Sequence, residues 1–271
     1  MSLNTRFELR EKIGTGATSD VFDAYDKNLR RHVAVKIFRK FEDVIRNAEL
    51  SQRFLVDARA AAGISHPNIV TVYDAGSFSG GIAIVMELVR DSLRKMLDRT
   101  PQLPWELVIS IAAQVADGLK CLHDNGIFHR DIKSSNILIA PGNVAKIGDF
   151  GLAHLPMSDL TRTGSVLGTP RYMSPEQARG EVIDHRTDIF SLGAVLFEML
   201  ARQTPFENPP CEDHVLIERI VREPAPHPSR LNPRVPRAFD GIVARALAKD
   251  RGDRYQDAAQ FAAALRSLEP G

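Results

Sequence analysis

The sequence predicts an α+β chain of two lobes, a small one built on antiparallel strands with one main helix and a larger one that is mostly helical. Two observations carry this. Up to about residue 90 the apolar residues fall in short alternating or β-branched segments, the mark of strands; beyond it they recur at helical spacing over long stretches. The 271 residues allow one domain or two, and a chain of this size buries about three quarters of the surface its unfolded form exposes.

In chain order, Phe7–Leu9 and Val21–Tyr25 flank a glycine-bearing turn, and Val33–Phe38 is a third strand, so the three form a meander. Residues 43–63 hold no Gly or Pro before Gly63 and carry Val44, Ala48, Leu55, Ala58 and Ala62, an amphipathic helix with a glycine stop. Ile69–Tyr73 and Ile82–Met86 read as two further strands around a turn from Gly76 to Gly81. Helices are expected over 105–125, behind Pro104, and over 186–201, 212–223, 236–248 and 255–268. Eight of the 16 prolines fall between Pro205 and Pro236, which marks irregular connections there.

Composition narrows the function. Lys and Arg total 35 against 34 Asp and Glu, a net charge of +1, so nothing electrostatic argues for nucleic acid or an anionic membrane as partner. Cys121 and Cys211 stand 90 residues apart without a CxxC or Cys/His cluster, which argues against structural zinc and disulfides and for a reducing, cytoplasmic setting. The longest apolar run, near 189–201, is interrupted by Glu198 and falls short of a membrane span, and the N-terminal segment is too charged for a signal peptide.

The chemistry begins at Ile13-Gly14-Thr15-Gly16, between two strands. Glycine lets a backbone approach a phosphate and aim its N–H groups at it, although a glycine pair is equally the turn of an ordinary hairpin. A strand rather than a helix follows, against a dinucleotide fold, and no Gly-Lys-Ser/Thr follows, which excludes a Walker loop. Lys36 lies in the apolar strand Val33–Phe38; alone it is a solvated-face lysine, but about 20 residues after the glycine turn it is in reach of phosphates held there.

The string His129-Arg130-Asp131-Ile132-Lys133-Ser134-Ser135-Asn136-Ile137-Leu138-Ile139, followed by Ile147-Gly148-Asp149-Phe150-Gly151, decides the matter. Two carboxylates and an amide supply hard oxygen ligands or a base, and Lys133 supplies positive charge, the equipment for Mg²⁺ and a polyphosphate. The plain alternative, a surface hairpin of mixed charge, leaves the string unexplained.

These segments resemble the eukaryotic-like (Hanks-type) protein kinases, and among them the bacterial serine/threonine kinases, over nearly the whole chain from Phe7 to about Leu268. Gly168-Thr169-Pro170-Arg171-Tyr172-Met173-Ser174-Pro175-Glu176 resembles the end of an activation segment, with Ser174 where Ala is commoner. Asp188–Gly193 resembles the helix that anchors the catalytic loop, and Arg254 the late arginine that pairs with Glu176. The resemblance implies a small lobe over about 1–86, a hinge at 87–91 and a large lobe over 92–271. It implies that Ile13, Gly14, Thr15, Gly16 and Ser19 belong to the loop over the phosphates, that Lys36 binds the α- and β-phosphates, and that Val21, Ala34 and Leu138 sandwich the adenine. Met86 is then the gatekeeper, with backbone groups of Glu87 to Val89 on the base. Asp131 handles the proton of the substrate hydroxyl, Lys133 neutralises the transferring phosphoryl group, and Asn136 and Asp149 hold Mg²⁺, with Mn²⁺ as an alternative ion.

Three departures qualify the match: Ser19 replaces a loop glycine, Gly148 precedes Asp149 where a bulkier residue is common, and Asp57 occupies the helix position of the glutamate that pairs with the catalytic lysine. Asp57 is one methylene short, and Glu49, about 12 Å up a helix, is too far to substitute. The expected activity is transfer of the γ-phosphate of ATP to protein serine and threonine hydroxyls, with a pseudokinase or nucleotide-binding scaffold as the second reading. A kinase of small molecules is disfavoured because 161–176 looks like a peptide-docking segment. Thr161 and Thr163 are expected sites of autophosphorylation, with Arg130 receiving the phosphate and a homodimer as the arrangement for the reaction. The segment is expected in the cytoplasm, alone or as the cytoplasmic domain of a longer protein.

Overall fold

The computed structural model of the protein describes residues 3–16, 19–38, 62–78, 81–149 and 170–268. The described residues up to Arg90 form one compact unit, and those from Asp91 to Asp149 together with 170–268 form a second.

The first unit is a five-stranded antiparallel sheet of β1 (Phe7–Thr15), β2 (Ser19–Asp26), β3 (Arg31–Phe38), β4 (Val72–Phe78) and β5 (Gly81–Met86), in the order β1-β2-β3-β5-β4. Period-two alternation sorts its faces. Val33 and Val35 of β3 join Leu3, Phe7, Ala24, Phe78, Ala83 and Val85 in one core cluster, whereas Ala34 and Lys36 point to the opposite face. Burying each large apolar side chain there contributes roughly 1.5–3 kcal/mol.

The second half of this sheet departs from the expectation. The strand expected over 69–73 runs instead over Val72–Phe78, so three residues of the turn expected from Gly76 to Gly81 belong to the strand, with Phe78 paired to Gly81. Gly76 and Ser77 look like turn residues, yet they pair with Ala83 and Ile82, and Phe78, only 6% exposed, anchors the extension in the core. The helix expected over 43–63 lies outside the described residues except for its last two.

The second unit joins a three-stranded sheet, β6 (Asp91–Ser92), β7 (Ile137–Ala140) and β8 (Val144–Ile147), to helices. The helices are α1 (Leu93–Arg99), α2 (Trp105–Asp124), α3 (Pro175–Ala178), α4 (Arg186–Ala201), α5 (Asp213–Arg222), α6 (Pro228–Leu231), α7 (Ala238–Ala246) and α8 (Ala258–Arg266). The five long helices expected from the sequence are α2, α4, α5, α7 and α8, each ending within three residues of its expected bounds. The one-turn helices α3 and α6 are too short for an apolar period to register. Every residue of α4 from Thr187 to Leu200 is buried, so α4 is the axis on which α2, α7 and α8 pack. No helix among the described residues is long and apolar enough to cross a membrane.

Candidate active site

Strand register in the first unit assembles one group of site residues. Val21 stands opposite Lys36, and Ala34 opposite Met86, so these four side chains share the sheet face away from the core cluster. Lys36 is 8% exposed, with its ammonium 5.5 Å from the centre of the Phe38 ring. Gly14 pairs with Val21 and Thr15 with Asp20, and Gly16 N–H donates to the Ser19 carbonyl at 2.8 Å to tighten the turn. Neither Gly14 nor Gly16 has a left-handed backbone, and a Cβ there meets its nearest neighbours at 3.6 Å and 3.5 Å, ordinary contacts. The backbone at these two positions therefore does not itself require glycine. Beyond Met86, Glu87 and Val89 continue without strand pairing, and Glu87 N–H donates to the Thr71 carbonyl at 2.8 Å.

The second group sits at one end of the β7–β8 hairpin. Ile137 pairs with Ile147, and Gly148 N–H donates to the Asn136 carbonyl at 2.8 Å, so the ladder holds the residues flanking the hairpin side by side. Asn136 Nδ2 donates to the Asp131 carbonyl at 2.8 Å and to Asp131 Oδ2 at 3.0 Å. Lys133 Nζ donates to the same Oδ2 at 2.7 Å. The Asp131 side chain stays 54% exposed, so a carboxylate oriented by two donors keeps lone pairs for an incoming hydroxyl. Leu138, half-buried, lies where its Cγ and Cδ1 meet the position of a Cβ on Gly148 at 3.5 Å.

His129 and Asp188 hold this loop in place. The fully buried His129 donates from Nε2 to the Gly148 carbonyl at 2.8 Å and accepts at Nδ1 from Asp131 N–H at 3.2 Å, a pattern that fixes one neutral tautomer. Asp188, fully buried on α4, accepts from His129 N–H at 2.8 Å, Arg130 N–H at 2.7 Å and His123 Nε2 at 2.8 Å. Burial pushes this carboxyl up, but the His123 contact and the amides outweigh it and hold it below the usual range. Arg130 takes φ +66° and Asp149 φ +59°, left-handed values that cost a non-glycine residue about 1–2 kcal/mol each. Asp188 and Gln177, whose Nε2 donates to the Arg130 carbonyl at 2.8 Å, lock Arg130 in that pose.

The oxygens of Asn136 and Asp149 suit a hard divalent cation. Both partners of Asn136 Nδ2 are acceptors, so the amide nitrogen is committed to Asp131 and the amide oxygen is turned away as a ligand. The Asp149 carboxylate is an oxygen donor of the same hard kind, and two such donors could hold Mg²⁺ shared with substrate phosphates. No group of three or more His, Cys, Asp or Glu able to hold a metal occurs among the described residues.

Around this site, Ser134 Oγ lies 3.0 Å from Tyr172 Oη, which donates to Glu198 Oε2 at 2.8 Å, while Arg94 Nη1 donates to Glu198 Oε1 at 2.7 Å. Burial, with the Glu198 charge, pushes the Tyr172 phenol well above its ordinary value. Glu176 and Arg254 pair as the resemblance implies. His123, Gln177 and the Tyr172–Glu198–Arg94 chain are invisible to sequence reasoning because their partners lie 26 to 104 residues away. Asp57, Thr161 and Thr163 lie outside the described residues.

The model of the family described as "Protein kinase domain" matches residues 7–264. The chain is 38% identical over 269 residues to a probable serine/threonine-protein kinase of Clostridium perfringens, covering 98% of this chain and 39% of that one. It is 38% identical over 278 residues to the serine/threonine-protein kinase PknB of Mycobacterium leprae, covering 99% and 44%. It thus spans about two fifths of the length of these relatives. The crystal structure of the PknI kinase domain of Mycobacterium tuberculosis superposes with a TM-score of 0.73 at 26% identity, covering 97% of this chain and 96% of that one.

Proposed function

The chain belongs to the protein kinase family, and from that premise we propose that it transfers the γ-phosphate of ATP to serine and threonine hydroxyls of proteins. The observation that carries the reading is Asp131, a half-exposed carboxylate held by Lys133 at 2.7 Å and Asn136 at 3.0 Å on a loop locked by Asp188. In this role Asp131 accepts the substrate hydroxyl and receives its proton as the oxygen attacks the γ-phosphorus; the β–γ bridging bond then breaks and ADP leaves. Lys133, beside Asp131, offsets charge on the transferring group, and Lys36 binds the α- and β-phosphates under the Gly14–Gly16 turn. Val21, Ala34, Met86 and Leu138 provide apolar surface for the purine, with backbone groups from Glu87 to Val89 for its polar edge. Asn136 and Asp149 would hold Mg²⁺, which when bound draws charge from the β- and γ-phosphates.

Asp57 as the partner of Lys36, and Thr161 and Thr163 as sites of autophosphorylation by a second copy, belong to the same proposal. So does a cytoplasmic location, which the free thiols of Cys121 and Cys211 favour. No observation favours the pseudokinase reading, since Lys36, Asp131, Asn136 and Asp149 are all present. The test is incubation of the purified chain with labelled ATP and Mg²⁺, with and without a basic protein substrate, followed by mapping of the label. Label on serine and threonine side chains is expected; nucleotide binding without any transfer contradicts it.

A further inference from the structure

Asp23 is an odd residue for its place. It lies on β2 opposite Ala34, two residues along from Val21 and so on the same face as Val21 and Lys36, and its side chain is 5% exposed. A carboxylate so buried is costly unless paired, and for stability alone an apolar residue of similar size serves as well or better. Its partners suggest another purpose. The Arg90 guanidinium pairs with Asp23 Oδ2, and His32 Nδ1, on β3, donates to Asp23 Oδ1 at 2.7 Å. The other nitrogen of His32 lies 3.3 Å from Arg10 Nη1 on β1, so three strands brace the carboxylate. Burial pushes the Asp23 carboxyl up, but His32 and Arg90 outweigh it and keep it ionised below its ordinary range.

Arg90 closes the segment that runs from Glu87 out of β5 without strand pairing. The near end is tied to Thr71, through Glu87 N–H to the Thr71 carbonyl at 2.8 Å and Thr71 N–H to Glu87 Oε2 at 3.3 Å. The far end is tied to β2 by Asp23. A stretch of four residues outside any strand is held more narrowly when fastened at both ends than when one fastening is removed.

We infer that Asp23, acting through Arg90, is a positioning residue that clamps the 87–90 backbone for recognition of the purine. This rests on the proposed reading of that segment as the base-contacting one. Asp23 touches no reacting atom, so its loss weakens nucleotide binding and base discrimination and spares the chemical step.

The test compares the full chain with Asp23→Asn, Arg90→Gln and the double variant, measuring Kd for a fluorescent ATP analogue and, with a basic protein, KM and kcat for ATP and GTP. Each single change is expected to raise Kd and KM for ATP about fivefold or more, to lower the ATP-over-GTP ratio of kcat/KM, and to leave kcat within about twofold. The double variant is expected to be no worse than the worse single one, because both remove the same clamp. Arg90 is 57% exposed and Asp23 keeps its His32 bond in Arg90→Gln, so this variant tests the idea with the least disturbance of the fold. Nucleotide binding by the wild type that is unchanged in Arg90→Gln overturns the clamp alone, as does a fall in kcat with KM unmoved. Absence of nucleotide binding in the wild type overturns both the clamp and the proposed function.

Discussion

Arg254 grips Glu176 with both terminal nitrogens, Nη1 to Oε1 at 2.7 Å and Nη2 to Oε2 at 2.8 Å, and the two side chains are 0% and 3% exposed. Thr187 Oγ1 adds a third bond to Glu176 Oε1 at 2.7 Å, and Arg254 also donates to the carbonyls of Ala248, Lys249 and Arg186. The pair therefore joins α3, α4 and the turn before α8. Removing one partner strands a buried charge, so Arg254→Ala is expected to cost about 3–5 kcal/mol of stability. Urea unfolding measures this, and a loss below about 1 kcal/mol contradicts it.

The same pair has a pH signature. Burial raises the Glu176 carboxyl, but Arg254 outweighs it and brings the pKa from 4.5 down to about 2. A carboxyl depressed on folding adds stability that is full above its unfolded value and is lost as pH falls through the folded one. Acid unfolding of the wild type should therefore steepen between about pH 4.5 and 2, and Glu176→Gln should flatten that part of the curve. Parallel curves for the two proteins contradict the assignment.

Gly193 is a point of close approach of α4 to α7. A Cβ there meets Ala246 Cβ at 2.8 Å and Leu247 Cδ2 at 3.2 Å, so the helices must part to admit it. Gly193→Ala is expected to lose about 1–3 kcal/mol through overpacking, against the usual gain from replacing a helical glycine. A thermal midpoint equal to or above that of the wild type refutes this.

Gly148 behaves oppositely. Its Cβ position meets the Asn136 carbonyl and Leu138 at 3.5 Å, ordinary contact, and its backbone is not left-handed. Gly148→Ala is expected to be neutral or to gain about 0.4–1 kcal/mol by restricting the unfolded chain. Calorimetry showing a loss above about 1 kcal/mol contradicts that. The departure at Gly148 is thus tolerated, and the Asp149 backbone is held by the Gly148 and His129 hydrogen bonds whether or not a side chain is present.

What the sequence disclosed and what it withheld divide along one physical line. The candidate residues Asp131, Lys133, Asn136 and Asp149 stand out because they fall in two short strings flanked by apolar strand residues, and the long helices are legible because their apolar faces repeat. Strand β4 is displaced from its expected position because Gly76 and Ser77 carry turn propensity that the pairing with β5 overrides. The supports of the site are hidden because each depends on a distant partner: His123 on Asp188, His129 on the Gly148 carbonyl, Arg90 on Asp23. No local pattern encodes contacts closed by folding.

The role of Asp131 is tested most directly by Asp131→Asn, measured for phosphoryl transfer to a basic protein and for nucleotide affinity on the same preparation. The amide keeps the shape of the loop but cannot take the hydroxyl proton. A rate lower by about 10²–10⁴-fold with nucleotide Kd nearly unchanged is expected, because positioning and base roles act in the transition state more than in ground-state binding. Transfer by Asp131→Asn at the wild-type rate, with label on the same serine and threonine residues, contradicts the assignment of Asp131 and with it the proposed mechanism.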